Sequence, residues 1–221
     1  MTITVLAAAL TLGVGALDVA TFTRLGEVFA SVMTGNLVLF GLAAARTSGS
    51  LAVHSAVAFA GYLTGAAAGT RLAGRSRQEG PVWPRSVTTT LLIGLVVLAG
   101  FTIGWLRTGA YPRGGTQLVL LATVAAAMGL QTAAMRGLGG NVSVSTTYLT
   151  GTLTGVISAL VGPRPRRIDS RGLLILAAAA TGAAIGGTLI AIVPDALPAL
   201  PLAALSGVIL VAGTQHVRSS P

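Results

Sequence analysis

The sequence predicts an all-α polytopic membrane protein made of two internal repeats, each with three spanning helices and one segment interrupted at a Thr-Gly step. Three observations carry that expectation. The first is composition: 53% of the 221 residues are apolar, only 9% are charged, and the mean hydropathy is +0.84. A soluble domain carries roughly 25% charged residues. The second is the recurrence of apolar stretches near the ~20 residues needed to cross a bilayer as a helix. The third is self-similarity between the two halves of the chain. The hydropathy and the five acidic residues rule out an ordinary soluble globule, a disordered tail and, with no Cys, a disulfide-stapled secreted domain.

Six stretches read as spanning helices: Thr2–Ala20, Leu51–Thr70, Val87–Leu106, Gln117–Met135, Gly172–Val193 and Ala199–Thr214. Two more, Val28–Ala45 and Val144–Val161, are apolar but broken near their middles by Thr34-Gly35-Asn36 and Thr150-Gly151-Thr152. Trp83 and Trp105 bracket the third helix and are expected to anchor it at the two membrane interfaces. The first segment has no basic residue ahead of it, which argues against a cleaved signal peptide. The whole chain, 1–221, is read as one integral membrane domain.

Matched residues in the same order define the repeats, 1–110 and 111–221. Leu17 and Leu130 lie 113 apart, as do Leu25-Gly26 and Leu138-Gly139, Gly94 and Gly207, and Gly100 and Gly213. Thr34-Gly35 matches Thr150-Gly151 at 116, and Thr64-Gly65 with Gly69 matches Thr181-Gly182 with Gly186 at 117. A shared order at near-constant offset is the signature of duplication.

Charge bears on topology. All 14 basic residues are Arg, placed singly or in short clusters between apolar runs, as the positive-inside rule requires and as a nucleic-acid groove does not. If both interrupted segments are re-entrant, six helices span, the repeats are inverted, and ten Arg face four (Arg24, Arg46, Arg107 and Arg113). If all eight segments span, the repeats are parallel and the division is eight against six. The re-entrant arrangement fits the rule better and also suits Asn36–Arg46, which makes about 16 Å of helix; eight full spans, four plus four, remain the alternative.

Polar residues inside apolar segments are the candidate site. Asp18 is the one acid within a confident span, and an intramembrane carboxylate faces a partner or a pathway. Gln131 is its counterpart in the second repeat, and Arg24 is the nearest countercharge, so a structural ion pair is the competing reading. Paired breaks at matching positions of two repeats point to a transport site, with half-helix N-termini aimed at the midplane; close packing at Thr and Gly, including the Gly151/Gly155 pair, is the alternative. The substrate-binding candidates are therefore Asp18, Thr34, Gly35, Asn36, Gln131, Thr150, Gly151 and Thr152. His54 and His216 are too isolated to build a metal site, and His54 reads as a hydrogen-bonded interfacial histidine. The stripes Gly61/Gly65/Gly69 and Gly182/Gly186 read as packing faces.

Gly15-Ala16-Leu17-Asp18, Phe29 and Met33-Thr34-Gly35-Asn36, with Met128-Gly129-Leu130-Gln131 and Tyr148-Leu149-Thr150-Gly151, resemble the signatures of the YoaK family of bacterial multi-pass membrane proteins, a domain of unknown function. The resemblance covers nearly the whole chain. It implies a polytopic inner-membrane protein, commonly of six helices, with no established substrate, and its motif positions fall on Asp18, Thr34, Gly35, Asn36, Gln131, Thr150 and Gly151. The chain is thus expected to be a small-solute transporter or channel with its site between the repeats, or else a non-transporting membrane partner or assembly factor. No enzyme activity, metal, cofactor or nucleic acid is expected. The expected partners are the lipid bilayer and an unidentified small solute, with homo-oligomerisation open.

Overall fold

The structure is a computed structural model, and it describes residues 3–74, 83–138, 149–161 and 170–218. Among these residues there are eight α-helices and a short 3-10 turn, in the order α1 (Ile3–Arg24), α2 (Met33–Ala45), α3 (Gly49–Ala73), α4 (Arg85–Arg107), α5 (Gly114–Arg136), α6 (Leu149–Val161), α7 (Ser170–Ile192), the turn Pro194–Ala196 and α8 (Ala199–Arg218). Helices α1, α3, α4, α5, α7 and α8 are long and apolar enough to cross a membrane. Helix α6 is described over residues 149–161. Helix α2 has 13 residues, about 20 Å of rise. That is well short of a ~30 Å hydrocarbon core.

Helix directions follow from the ties between their ends. At one end of the bundle the Gln117 side chain, near the start of α5, donates to the Arg24 carbonyl at the end of α1 (2.9 Å) and meets His54 Nε2, near the start of α3 (3.2 Å). Trp105, near the end of α4, donates to the Pro194 carbonyl just beyond α7 at the same level (2.9 Å). At the other end the Ser86 hydroxyl of α4 donates to the Ala73 carbonyl that closes α3 (2.9 Å). Helices α1, α4 and α7 therefore run one way, and α3, α5 and α8 the other. Because α1 finishes and α3 begins at the Arg24 end, residues 25–48 leave and return on one side of the bundle. The α5–α7 connection leaves and returns at the opposite, Arg136, end.

Six long helices with two short ones match the expected architecture, and each long helix starts or finishes up to a turn beyond its apolar stretch. Three of the differences matter. Helix α1 runs to Arg24, so Asp18 lies six residues, or about 9 Å, inside its end rather than at a terminus. The Thr34-Gly35-Asn36 step is the first turn of α2 rather than a break within it; the non-helical stretch is 25–32. Both Trp side chains are buried, Trp83 donating to the Thr88 hydroxyl (3.0 Å) and Trp105 to Pro194, so they are core residues at the two ends of α4 and not interfacial anchors. Inside the bundle each indole N–H needs a protein partner, and each has one. The Gly139 match, Tyr148, the first part of the Val144–Val161 segment, the Arg-bearing residues 75–82 and 162–169 and the His216 side chain lie outside the described residues.

Helices α1 and α5 form the centre: 67% and 72% of their apolar windows are buried, against 22–33% for the other four. Each lies parallel to a helix from the other half of the chain, and glycines set the spacing. On the α3/α5 face, a methyl at Gly61 would lie 2.6 Å from the Ala122 carbonyl oxygen, one at Gly65 would collide with the Ala126 carbonyl, and one at Gly129 with the Tyr62 carbonyl. On the α1/α7 face, Gly15 meets the Ala179 carbonyl, Gly182 the Leu12 carbonyl and Gly186 the Ala16 Cα. Lipid tails are as apolar as Leu, so such helices gain from dispersion at close approach rather than from burial.

Two outcomes test this packing. Gly65→Ala should cost about 1–3 kcal/mol, because rigid backbone cannot give way, whereas Gly41→Ala, facing open space, should be neutral or stabilise by about 0.5–1 kcal/mol through helix propensity. Denaturation in detergent reads both. In this Cys-free chain, single cysteines replacing the exposed Thr47 and Ser170 should label from opposite faces of the membrane; eight full spans would put them on the same face.

Candidate functional site

The segment between α1 and α2 is not helical, and several of its backbone polar groups are paired within the chain, as groups away from water must be. Leu25 N–H donates to the Thr21 carbonyl (2.9 Å) and Met33 N–H to the Ser31 carbonyl (3.1 Å). Asn36, 1% exposed, takes both groups of Phe29: its Oδ1 accepts from Phe29 N–H (2.8 Å) and its Nδ2 donates to the Phe29 carbonyl (2.7 Å). Asp18 takes Ser31, Oδ1 accepting from its N–H (2.9 Å) and Oδ2 from its hydroxyl (2.5 Å). Two side chains thus stand in for a missing strand or helix partner. The chain makes its sharp departure from α1 at Gly26 (φ 97°), whose bare Cα lies against the His54 ring, and at Glu27 (φ 60°).

Asp18 does not pair with Arg24. Arg24 donates to the Tyr111 hydroxyl (3.1 Å) and reaches the Ile190 carbonyl (3.5 Å), with its guanidinium carbon 4.0 Å from the Tyr111 ring centroid. The side chains point to different neighbours because Asp18 faces the 28–32 segment and Arg24 the α4–α5 connection. The ion-pair reading of Asp18 is therefore replaced by a carboxylate held by serine.

Beside Asp18 lies a groove of about 360 Å³ between α1, α7 and the 28–32 segment, lined by Gly15, Asp18, Val19, Phe22, Thr23, Phe29, Val32, Ala179, Ala180 and Ala183. Phe22 and Phe29 stack at its edge, ring centroids 5.3 Å apart. Asp18 is the one ionisable side chain among these ten residues.

The remaining candidates are placed as follows. Thr34 is exposed, and Gly35 lies beside the Phe29 ring and Val32. Asn36 turns its carboxamide to Phe29 and is not among the groove residues. Gln131 is 5% exposed on α5. Thr150, Gly151 and Thr152 open α6, where Thr152 packs on Gly172 of α7, and Gly155 faces open space. Asp18 and Asn36 are joined through residues 29–31; Gln131 and the α6 residues belong to other helices, α6 packing on α7. His54 is hydrogen-bonded as expected, its Nδ1 2.7 Å from the Ser50 carbonyl. The sequence reading missed Ser31, the Phe22/Phe29 pair and the Gln117–Arg24–His54 tie. Ser31 falls 13 residues after Asp18, a separation with no helical meaning. Among the described residues no group of three or more His, Cys, Asp or Glu is placed to hold a metal.

Comparison with known proteins places this arrangement. Residues 6–212 match the family described as "Protein of unknown function (DUF1275)". The chain belongs to that family. It is also similar to the UPF0700 transmembrane protein YoaK of Bacillus subtilis (strain 168), 32% identical over 153 residues covering 69% of this chain and 65% of the relative. The chain thus spans just under two-thirds of that relative's length. No solved structure matches. With six helices long and apolar enough to cross a membrane and a relative named as a transmembrane protein, this member of the family is a multi-pass transmembrane protein.

Removing the Asn36 carboxamide should be costly: Asn36→Ala leaves the Phe29 N–H and carbonyl unpaired, at about 1–3 kcal/mol each. Thr34→Ala, next to it but exposed, should stay within about 0.5 kcal/mol of wild type. Unfolding of the two variants in detergent measures the difference.

Proposed function

We propose that this chain is a small-solute transporter or channel of the bacterial inner membrane, built from two inverted halves, and not an enzyme. The observation that carries the reading is the conjunction at Asp18. A carboxylate about 9 Å inside the end of a spanning helix borders both non-helical backbone and a groove large enough for a small molecule. Backbone broken at membrane depth, beside an ionisable group, is where solute paths form in membrane proteins.

The inverted halves are supported by the pattern of helix pairing. Helices α1 and α5, first in their halves, run in opposite directions, and each packs parallel to the third helix of the other half. Gly65 and Gly182, 117 residues apart, both close on backbone carbonyls of the partner's central helix, at Ala126 and Leu12. An alternating mechanism would rock one half against the other along these glycine faces.

One observation favours the second reading, a membrane partner or assembly factor: Asn36 and Asp18 are both engaged in holding the 28–32 segment. Flux separates the two. Purified protein reconstituted in vesicles should move at least one member of a panel of small cations, anions and neutral solutes. Asp18→Asn should lower that flux about tenfold or more, the kinetic equivalent of one lost charge-assisted contact of about 1.5 kcal/mol. Wild-type vesicles that move no member of the panel would favour the assembly reading.

A further inference from the structure

We infer that the groove beside Asp18 is a binding site for a small monovalent organic cation, an amine or quaternary ammonium with an apolar body. The inference rests on the transporter reading for its purpose, but its chemistry stands on the groove alone.

Charge sets the sign of the ligand. Asp18 is the single ionisable side chain in the lining, and Arg24, though on the same helix, is turned to Tyr111 and Ile190 instead. The Ser31 amide and hydroxyl each donate to one carboxylate oxygen. The Ala30 amide is a third donor, and a carboxylate offers about four lone-pair sites, so acceptor capacity is left on a group that borders the groove. An anion would meet a fixed negative group there with no basic residue to offset it.

The walls set its character. Val19, Val32, Ala179, Ala180 and Ala183 offer methyl groups and no donors or acceptors of their own side chains. A bare metal ion would lose its water to a site with one carboxylate and few other oxygens, whereas hard cations take six or more oxygen ligands. An organic ammonium needs no such cage. Its charge is spread over a weakly hydrated, apolar surface, and the Phe22 and Phe29 rings in the lining bring π faces, whose negative potential attracts a cation. Aromatic surface combined with a carboxylate is the usual recognition chemistry for quaternary ammonium. The volume, about 360 Å³, falls at the lower end of the ~300–1,000 Å³ of small-molecule sites, which limits the ligand to a few carbons around the nitrogen. Phe22 is 44% exposed, so the groove is reached from the side of the bundle.

The same ammonium chemistry occurs in free solutes and in lipid headgroups, and the test separates them. Protein is purified in a neutral detergent free of amine lipids. Melting temperature and equilibrium dialysis are then followed with choline, with tetraethylammonium, with the uncharged choline isostere 3,3-dimethylbutanol, with sodium, and with short-chain phosphatidylcholine. The expected result is saturable binding of choline or tetraethylammonium and none of the isostere or sodium. If phosphatidylcholine binds in place of the free ammonium ions, the cation chemistry holds and the source is lipid.

Asp18→Asn should weaken binding about tenfold or more. Phe22→Leu, which keeps apolar volume, should weaken it about two- to thirtyfold. Should Asp18→Asn fail to fold, Ala180→Phe gives an independent check. Its side chain projects from an exposed position on α7 into the groove and should abolish binding without disturbing the core. Equal binding of the neutral isostere, binding unchanged by these substitutions, or no binding of any ammonium probe would overturn the inference. Ammonium binding without flux would remove the transporter reading and leave this one intact; flux of other solutes without ammonium binding would do the reverse.

Discussion

Close contact between glycine and backbone carbonyl, repeated down two helix pairs, is the constraint from which the rest of this structure follows. In a soluble protein the bulk of the core is assembled by expelling water, and the residues that matter are large. Here the surroundings are already apolar and the exposed faces of α2 and α4 carry Leu37, Val38, Val96 and Ile103 without penalty. What distinguishes inside from outside is how near two backbones can come. Gly61, Gly65 and Gly129 fix α3 on α5, and Gly15, Gly182 and Gly186 fix α1 on α7. With those two pairs set, the central position of α1 and α5 and the peripheral placement of the short helices are determined.

That framework also explains why the polar chemistry gathers where it does. A chain that leaves α1 and comes back to α3 at the same end must pass through a stretch with no regular hydrogen-bonding scheme. Water is not there to complete the backbone, so side chains do it: Asn36 for Phe29 and Asp18 for Ser31. The two residues differ in what they have left over. The amide of Asn36 is consumed on both its atoms, while the carboxylate of Asp18 still borders open volume. Asn36 is thus wholly taken up in holding the segment, whereas Asp18 both holds it and borders the groove.

Much of the architecture was legible because membrane helices announce themselves by length and hydropathy, and the glycine stripes could be assigned to packing because small residues four apart on one helix face suit close approach. The ends of α1 were not legible. Thr21, Phe22, Thr23 and Arg24 dilute the apolar run without ending the helix, so the span read as closing at Ala20, two residues past Asp18, when it runs on to Arg24. The buried state of Trp83 and Trp105 was hidden for a related reason, since sequence shows their spacing along α4 but not which face meets α5, α8 or the Pro194 turn. The partner of Asp18 was unreadable because Ser31 approaches it only after the chain reverses. Arg24 was the natural expectation on proximity along the chain, and a cation–aromatic contact with Tyr111, 87 residues away, took it instead.

The cross-pairing of the helices has a consequence for how the molecule is made. Each central helix finds its parallel partner in the opposite half: α3 must wait for α5, and α1 for α7, whose first residue is synthesised some 146 positions after the last of α1. Through most of translation α1 therefore sits in the lipid with Gly15 and its neighbours facing no mate, and with Asp18 satisfied only by the loop that follows it. Neither half can close a core by itself. The α1/α7 face can therefore close only once α7 has been made, and a chain that stops short of residue 170 lacks the mate of α1 altogether.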